Sequence, residues 1–263
     1  MTNYKILFLD IDGTILKPDD TIEETTKQAV IEAKNKGITV FLATGRPLHE
    51  ISDIAKELNI HSYIGYNGAY AIHENKDIFK TPMSKSTVDS FVNIANKKEH
   101  EFVLYTHEKN IFSNLENEVV KEFIEAFHLH KNNHFSEEFL NQILGITLIK
   151  LKENEQNLYE TKEPSIHLSQ VNVDGLRHCY DVIRDNVNKG IAVQHILELL
   201  NIPKENAIAF GDGMNDKEML SVVGEGFAMG NAHPDLFQYA KHKTTSVNDS
   251  GIYNGLKTLG IIN

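Results

Sequence analysis

Three short runs, Lys5 to Asp10, Ile38 to Ala43 and Ala207 to Phe210, are almost continuously apolar, and each breaks off into a polar, glycine-containing loop. Unbroken apolarity over four to six residues is the pattern of a strand buried on both faces, as in a parallel sheet. Segments of helical period lie between them. Thr21 and Glu24 read as a capping box, Ile22, Ala29, Val30 and Ala33 as an apolar stripe, and Gly37 as the stop. Pro47 then opens a second helix striped by Leu48, Ile51, Ile54, Ala55 and Leu58. Strand, helix, strand, helix implies βαβ units and a doubly wound parallel α/β sheet, which binds ligands beyond the carboxyl ends of its strands. From Met83 to Asn186 the pattern changes. Amphipathic stretches (Val88, Phe91, Val92, Ala95; Val119, Val120, Phe123, Phe127) alternate with strand-like runs at Phe102–Tyr105 and Ile146–Ile149, and helical period returns from Lys189 through Leu200. The expectation is an α/β core built from residues 1–82 and 187–263, with an α+β domain inserted at 83–186.

The loops at the strand ends carry the chemistry. Asp10-Ile11-Asp12-Gly13-Thr14 sets two carboxylates two residues apart at the end of a buried strand, with Gly13 permitting a sharp turn. Such a pair suits cleavage of a phosphate ester, Asp10 attacking phosphorus and Asp12 protonating the leaving oxygen and later activating water. Carboxylate attack on a dianion calls for a divalent cation, and magnesium, which prefers oxygen ligands, fits best. Gly211-Asp212-Gly213-Met214-Asn215-Asp216 follows another buried strand and supplies Asp212 as a metal ligand, with Asp216 orienting metal-bound water or Lys189. Lys189, just before a helix, offers the positive counterweight. Thr44, Gly45 and, less directly, Asn215 can donate hydrogen bonds to phosphoryl oxygens. Arg46, in the same loop, either reaches substrate or forms a surface ion pair.

In order and spacing these residues resemble the haloacid dehalogenase superfamily, with Asp10-x-Asp12-Gly13-Thr14 as its first motif, Thr44 its second, Lys189 its third and Gly211-Asp212-x-x-Asn215-Asp216 its fourth. Within it the chain is similar to the Cof-type hydrolases, whose αβ cap is inserted between the second and third motifs; the segment Phe227–Ala232 shares that likeness. The resemblance implies a magnesium-dependent phosphatase acting through an aspartyl-phosphate, with the main-chain carbonyl of Asp12 joining Asp10 and Asp212 around the metal. It also implies a cap that selects the leaving group. Sugar phosphates are the first expectation, nucleotide or cofactor phosphates the next. Two rivals are a phosphomutase of the same superfamily and a module that uses phosphorylation of Asp10 as a signal.

Composition removes other classes. A formal net charge of −11 opposes binding to nucleic-acid backbones. No apolar stretch is long enough for a membrane span, and the single cysteine, Cys179, points to a reducing compartment, hence to the cytoplasm. A small phosphorylated metabolite is the expected partner. An EF-hand reading of the first acidic loop fails, because Ile15 stands where glycine and Thr21 where glutamate would be needed. The glycines at 224, 226 and 230 are mis-spaced for a dinucleotide loop. Among the histidines only His128, His130 and His134 are close enough in sequence to suggest a cluster, and Asn67-Gly68 reads as a turn.

Overall fold

The computed structural model describes residues 4–159 and 165–262. Along the chain run β1 (Ile6–Leu9), α1 (Glu24–Asn35), β2 (Thr39–Ala43), α2 (Ser52–Glu57), β3 (Tyr63–Gly65), β4 (Tyr70–His73) and β5 (Lys76–Lys80). Then come α3 (Lys85–Lys98), β6 (Glu101–Tyr105), β7 (Asn110–Phe112), α4 (Glu118–Ala126), β8 (Asn132–His134), β9 (Gly145–Ile149), β10 (Ile166–Gln170) and β11 (Tyr180–Arg184). The chain finishes with α5 (Lys189–Leu199), β12 (Ala207–Gly211), α6 (Lys217–Val222), β13 (Glu225–Ala228), β14 (His242–Lys243) and α7 (Gly251–Thr258). Two compact units result. One takes the described residues up to Arg46, Ser52–Phe79 and those from Val187 onward; the other takes Pro47–Ile51 and Lys80–Asn186.

The first unit is a Rossmann-like core with an eight-stranded sheet in the order β14-β13-β12-β1-β2-β3-β4-β5. β1 is central and parallel to both neighbours, Ile6 facing Ala207 on one side and Thr39 on the other. Only the hairpin of β3 and β4 runs antiparallel among the registered pairs of this sheet. All four residues of β1 are fully buried, as two-sided coverage requires. Ile6, Phe8, Phe41 and Ala209 pack with Ala192, Val193 and Ile196 of α5 and with Met219 and Leu220 of α6. This packing fixes the carboxyl ends of β1, β2 and β12 side by side; the loops after β1 and β12 carry the acids, and the loop after β2 carries Thr44, Gly45 and Arg46.

The second unit, the inserted cap, is a six-stranded sheet in the order β10-β11-β9-β6-β7-β8, antiparallel apart from β7 with β8. Val88, Phe91, Val92 and Ala95 of α3 cover Phe102, Leu104, Ile146 and Leu148 on one face. Val120 and Phe123 of α4 cover Val103, Phe112, Ile149 and Cys179 on the other. Burial, helped by the nearby charge of Asp181, pushes the Cys179 thiol up to about 12, so it is no nucleophile at neutral pH. Among the described residues no helix is long and apolar enough to cross a membrane.

Two local expectations differ from the structure. Thr21 does not cap α1. Its hydroxyl and N–H both bind Asp19 Oδ1, at 2.6 and 3.1 Å, while Ile22 forms a β-bridge with Leu16, so the helix starts only at Glu24 without a side-chain cap. A turn at Asp19-Asp20 thus outcompetes the capping box, Asp20 taking φ +59°. The helix expected from Pro47 is also broken, into a 3₁₀ turn at Leu48–Glu50 and the short α2. The reason is tertiary: His49 Nε2 lies 2.9 Å from Asn110 Oδ1, and Glu50 Oε1 accepts from Asn110 Nδ2 at 2.6 Å and from His130 N–H at 3.1 Å.

Candidate active site

Asp10 follows β1 directly, its N–H donating to Phe210 O at 3.1 Å, and only 5% of its surface is exposed. Lys189 is the first residue of α5, held in place because Asn188 caps that helix through Oδ1 to Ile191 N–H at 2.9 Å. Its ammonium is wholly buried and donates to Asp10 Oδ1 and to Asp216 Oδ1, both at 2.6 Å. The other oxygen of Asp216, Oδ2, accepts the N–H groups of Asp212 at 3.1 Å and Gly213 at 3.0 Å. Both oxygens of Asp216 are therefore occupied by donors of the protein itself, and the side chain ties the loop after β12 to Lys189.

Asp212 sits against Gly13. A Cβ built on Gly13 would lie 2.2 Å from Asp212 Oδ2, and Gly13 has φ +77°, so glycine is demanded twice over. Ligand oxygens of Asp10, Asp212 and Asp216 all lie within 4.8 Å of one another. One buried ammonium faces three carboxylates. Burial, reinforced by Asp216, pushes Asp212 up to about 7, and the same two causes raise Asp10 well above the usual carboxylate range despite the opposing pull of Lys189. Burial works against the charge of Lys189, but attraction to Asp10 and Asp216 outweighs it and raises its pKa. An all-oxygen donor set with surplus buried negative charge fits a hard divalent cation of the magnesium type. No metal-ligand group among the described residues includes His128, His130 or His134.

The remaining expected residues ring this group. Thr44 is buried just beyond β2; its Oγ1 accepts from Arg46 N–H at 3.0 Å, which leaves the hydroxyl proton to donate elsewhere. Gly45 is exposed beside the Asn67 side chain. Asn215 Nδ2 donates to Asn67 Oδ1 at 3.0 Å, and Asn67 N–H donates to Thr44 O at 3.1 Å, which links the second and fourth loops. Asp12 is turned to Arg46, which grips it with Nη2 at 2.5 Å and Nε at 3.0 Å.

Two contributors were not legible as such. Asn231 Nδ2 donates to Gly13 O at 2.8 Å and to Asp212 Oδ2 at 3.2 Å, while its Oδ1 accepts Val247 N–H at 2.8 Å. Its only sequence signal was its seat in the Phe227–Ala232 segment. The turn at Asn67-Gly68 is more than a turn: a Cβ on Gly68 (φ +104°) would lie 2.3 Å from Asn188 O, so glycine lets this turn back the start of α5.

The chain is similar to known proteins over nearly its whole length. The family model of the haloacid dehalogenase-like hydrolases matches residues 7–256. The chain is 28% identical over 268 residues, 97% of each chain, to 5-amino-6-(5-phospho-D-ribitylamino)uracil phosphatase YitU of Bacillus subtilis (strain 168). A crystal structure of a hypothetical protein from Geobacillus kaustophilus HTA426 superposes with a TM-score of 0.90 at 30% identity, covering 98% of this chain and all of that one. The subclass IIB sugar phosphatase BT4131 does so with a TM-score of 0.82 at 28% identity, with the same coverage.

Proposed function

Because the chain belongs to the haloacid dehalogenase-like hydrolases and is an enzyme of the phosphatase class, we propose that it hydrolyses phosphomonoesters of small metabolites through a phosphate ester of Asp10, with magnesium as cofactor. The observation that carries this reading is the buried Lys189, which at 2.6 Å holds Oδ1 of Asp10 and so leaves Oδ2 to attack. Oδ2 of Asp10 forms a bond to phosphorus as the ester P–O bond breaks, and Asp12 gives its proton to the departing alkoxide. Asp12, now ionised, takes a proton from water as that water attacks the same phosphorus; inorganic phosphate leaves and Asp10 is restored. Lys189 draws Asp10 toward its ionised form, against burial and the neighbouring acids, and orients it. Thr44 O–H, Gly45 N–H and Asn215 are assigned to the phosphoryl oxygens, where donors preorganised for developing charge act most strongly. Asp10, Asp212 and the main-chain carbonyl of Asp12 would hold magnesium, which when bound neutralises phosphoryl charge. Asp216 anchors Lys189 and the loop rather than the cation.

Residues 1–82 and 187–263 form the catalytic part in this reading, and 83–186 the cap that selects the leaving group. Sugar phosphates are the first candidates. Support comes from the sugar phosphatase BT4131 and from YitU, named for an ester carried on a ribityl chain. Purified protein with magnesium and a panel of phosphorylated metabolites should release inorganic phosphate, and Asp10→Asn should lose at least about a thousandfold in kcat/KM. Near-normal turnover by that variant would remove Asp10 as the nucleophile, and isomer formation without free phosphate would make the chain a mutase.

A further inference from the structure

Asn231 lies just beyond β13, on a loop that carries none of the four acids, yet its side chain bonds to three other loops of the first unit. Nδ2 donates one hydrogen to Gly13 O at 2.8 Å and the other to Asp212 Oδ2 at 3.2 Å, and Oδ1 accepts Val247 N–H at 2.8 Å. Two acceptors and one donor around it fix which end of the amide points where, and both hydrogens of the amide nitrogen are spent. An aspartate here would set an oxygen against the Gly13 carbonyl and the Asp212 carboxylate alike. The backbone holds this side chain in place. Met229 N–H donates to Gly211 O at 3.0 Å and His233 N–H to Asp212 O at 2.9 Å, so the chain on either side of Asn231 is laced to the loop after β12. Gly230 N–H donates to Thr245 O at 3.0 Å, and a Cβ on Gly230 would lie 2.7 Å from Ser246 N, which brings the 245–247 segment close as well.

Both ends of the Asn231 amide nitrogen's reach matter to the cation. Gly13 directly follows Asp12, whose main-chain carbonyl is assigned above to magnesium, and Asp212 is assigned to it too. One amide therefore grips both loops that would supply ligands after β1 and β12. The terminal torsion of an aspartate is broad and roughly two-fold, so nothing intrinsic to Asp212 sets the plane of its carboxylate. Gly13 bounds that plane on one side, where a Cβ would lie 2.2 Å from Asp212 Oδ2, and Asn231 holds the same oxygen by a hydrogen bond. Lys189 steadies Asp10 and Asp216 in a comparable way, by bonds at 2.6 Å to each.

We infer that Asn231 is a positioning residue for the metal: by holding Asp212 through Oδ2 and the Asp12-Gly13 turn through its carbonyl, it presets both loops to receive magnesium and sets the affinity for the cation. This rests on the magnesium-dependent phosphatase reading above. Groups that orient a metal ligand typically contribute roughly 10- to 100-fold in metal affinity. Calorimetric titration of magnesium chloride into the full chain should therefore give a dissociation constant at least tenfold weaker for Asn231→Ala than for wild type. The half-saturating magnesium concentration for phosphate release from p-nitrophenyl phosphate should rise to match. Asn254→Ala is the control for mere loop support. Asn254 Nδ2 donates to Thr245 Oγ1 at 2.9 Å and to Asp249 O at 3.0 Å, so its side-chain bonds among the described residues stay within the 245–249 segment, and the variant should bind magnesium as wild type does. A weakening below tenfold in Asn231→Ala, or an equal weakening in the two variants, would overturn the inference. Should Asn231→Ala fail to fold, Asn231→Ser, which keeps a polar group without the two-hydrogen amide, decides by the same criteria. Asp212→Asn separates this inference from its premise, since it should abolish the binding heat. Wild type that binds no magnesium, or Asp212→Asn that binds it undiminished, would remove the metal site itself and place the failure there rather than with Asn231.

Discussion

Replacing Lys189 with methionine removes the only buried cation among the described acids while nearly preserving volume, and the structure sets the size of the effect. Each of its contacts, at 2.6 Å, carries roughly 6 kcal/mol of attraction at an effective dielectric of 20. Desolvation of the ions consumes several kcal/mol apiece, so the net worth of the network is small beside the gross attraction. The variant fares worse than that net figure, because Asp10 and Asp216 are left charged, buried and facing Asp212. An escape route caps the loss: taking up one proton at pH 7 costs a carboxylate with an ordinary pKa near 3.8 roughly 4 kcal/mol. Both routes give a destabilisation of about 3–5 kcal/mol, a fall of roughly 6–20 °C in melting temperature for a chain of this size.

The assay is thermal unfolding of wild type and Lys189→Met in chelator at pH 7 and again at pH 5. At pH 5 the same protonation costs only about 1.6 kcal/mol, so the gap between the two proteins must shrink to below about 2 kcal/mol. The sign follows because the variant raises carboxyl pKa values in the folded state, and such groups destabilise progressively as pH rises. A gap under about 1 kcal/mol at pH 7, or one that does not close on acidification, would refute the account of the buried network.

Gly13→Ala should keep the fold yet weaken magnesium activation at least tenfold, since its Cβ would displace the Asp212 carboxylate from 2.2 Å; an unchanged half-saturating magnesium concentration would contradict this. His49, held down in pKa by burial against its bond to Asn110, refuses a proton that the unfolded chain accepts, so stability falls as pH drops below about 6.5. His49→Gln should flatten the change in urea midpoint between pH 7.5 and 5.5, and an identical slope would count against it.

What could be read from the sequence was what local pattern encodes. β1, β2 and β12 were legible because strands covered on both faces must be apolar throughout, and the acids stood out because they end such strands. Residues whose role comes from distant partners were not. Glu50 looks like the solvent side of a helix, yet it accepts N–H groups from His130 and Lys131, eighty residues on. Asn231 meets Gly13 across 218 residues, and no periodicity marks it. Thr21 failed differently: its capping box is a true local preference, outcompeted by an equally local turn at Asp19. Side-chain traffic between loops, unlike strand burial, leaves no repeat to find.

Arg46 extends the electrostatic argument to Asp12. With both oxygens accepting from the Arg46 guanidinium, Asp12 is not placed to hand a proton to a leaving alkoxide. The role proposed for Asp12 therefore requires the pair to part, and with Asp12 and Arg46 both partly exposed to solvent the pair is inexpensive to break. Counting charge gives the reason it should part. Four carboxyl groups, Asp10, Asp12, Asp212 and Asp216, share only two cationic side chains, Lys189 and Arg46. A phosphate dianion is a stronger competitor for Arg46 than one exposed carboxylate, so under the proposed mechanism an arriving substrate would draw Arg46 away and free Asp12 for the proton transfer assigned to it.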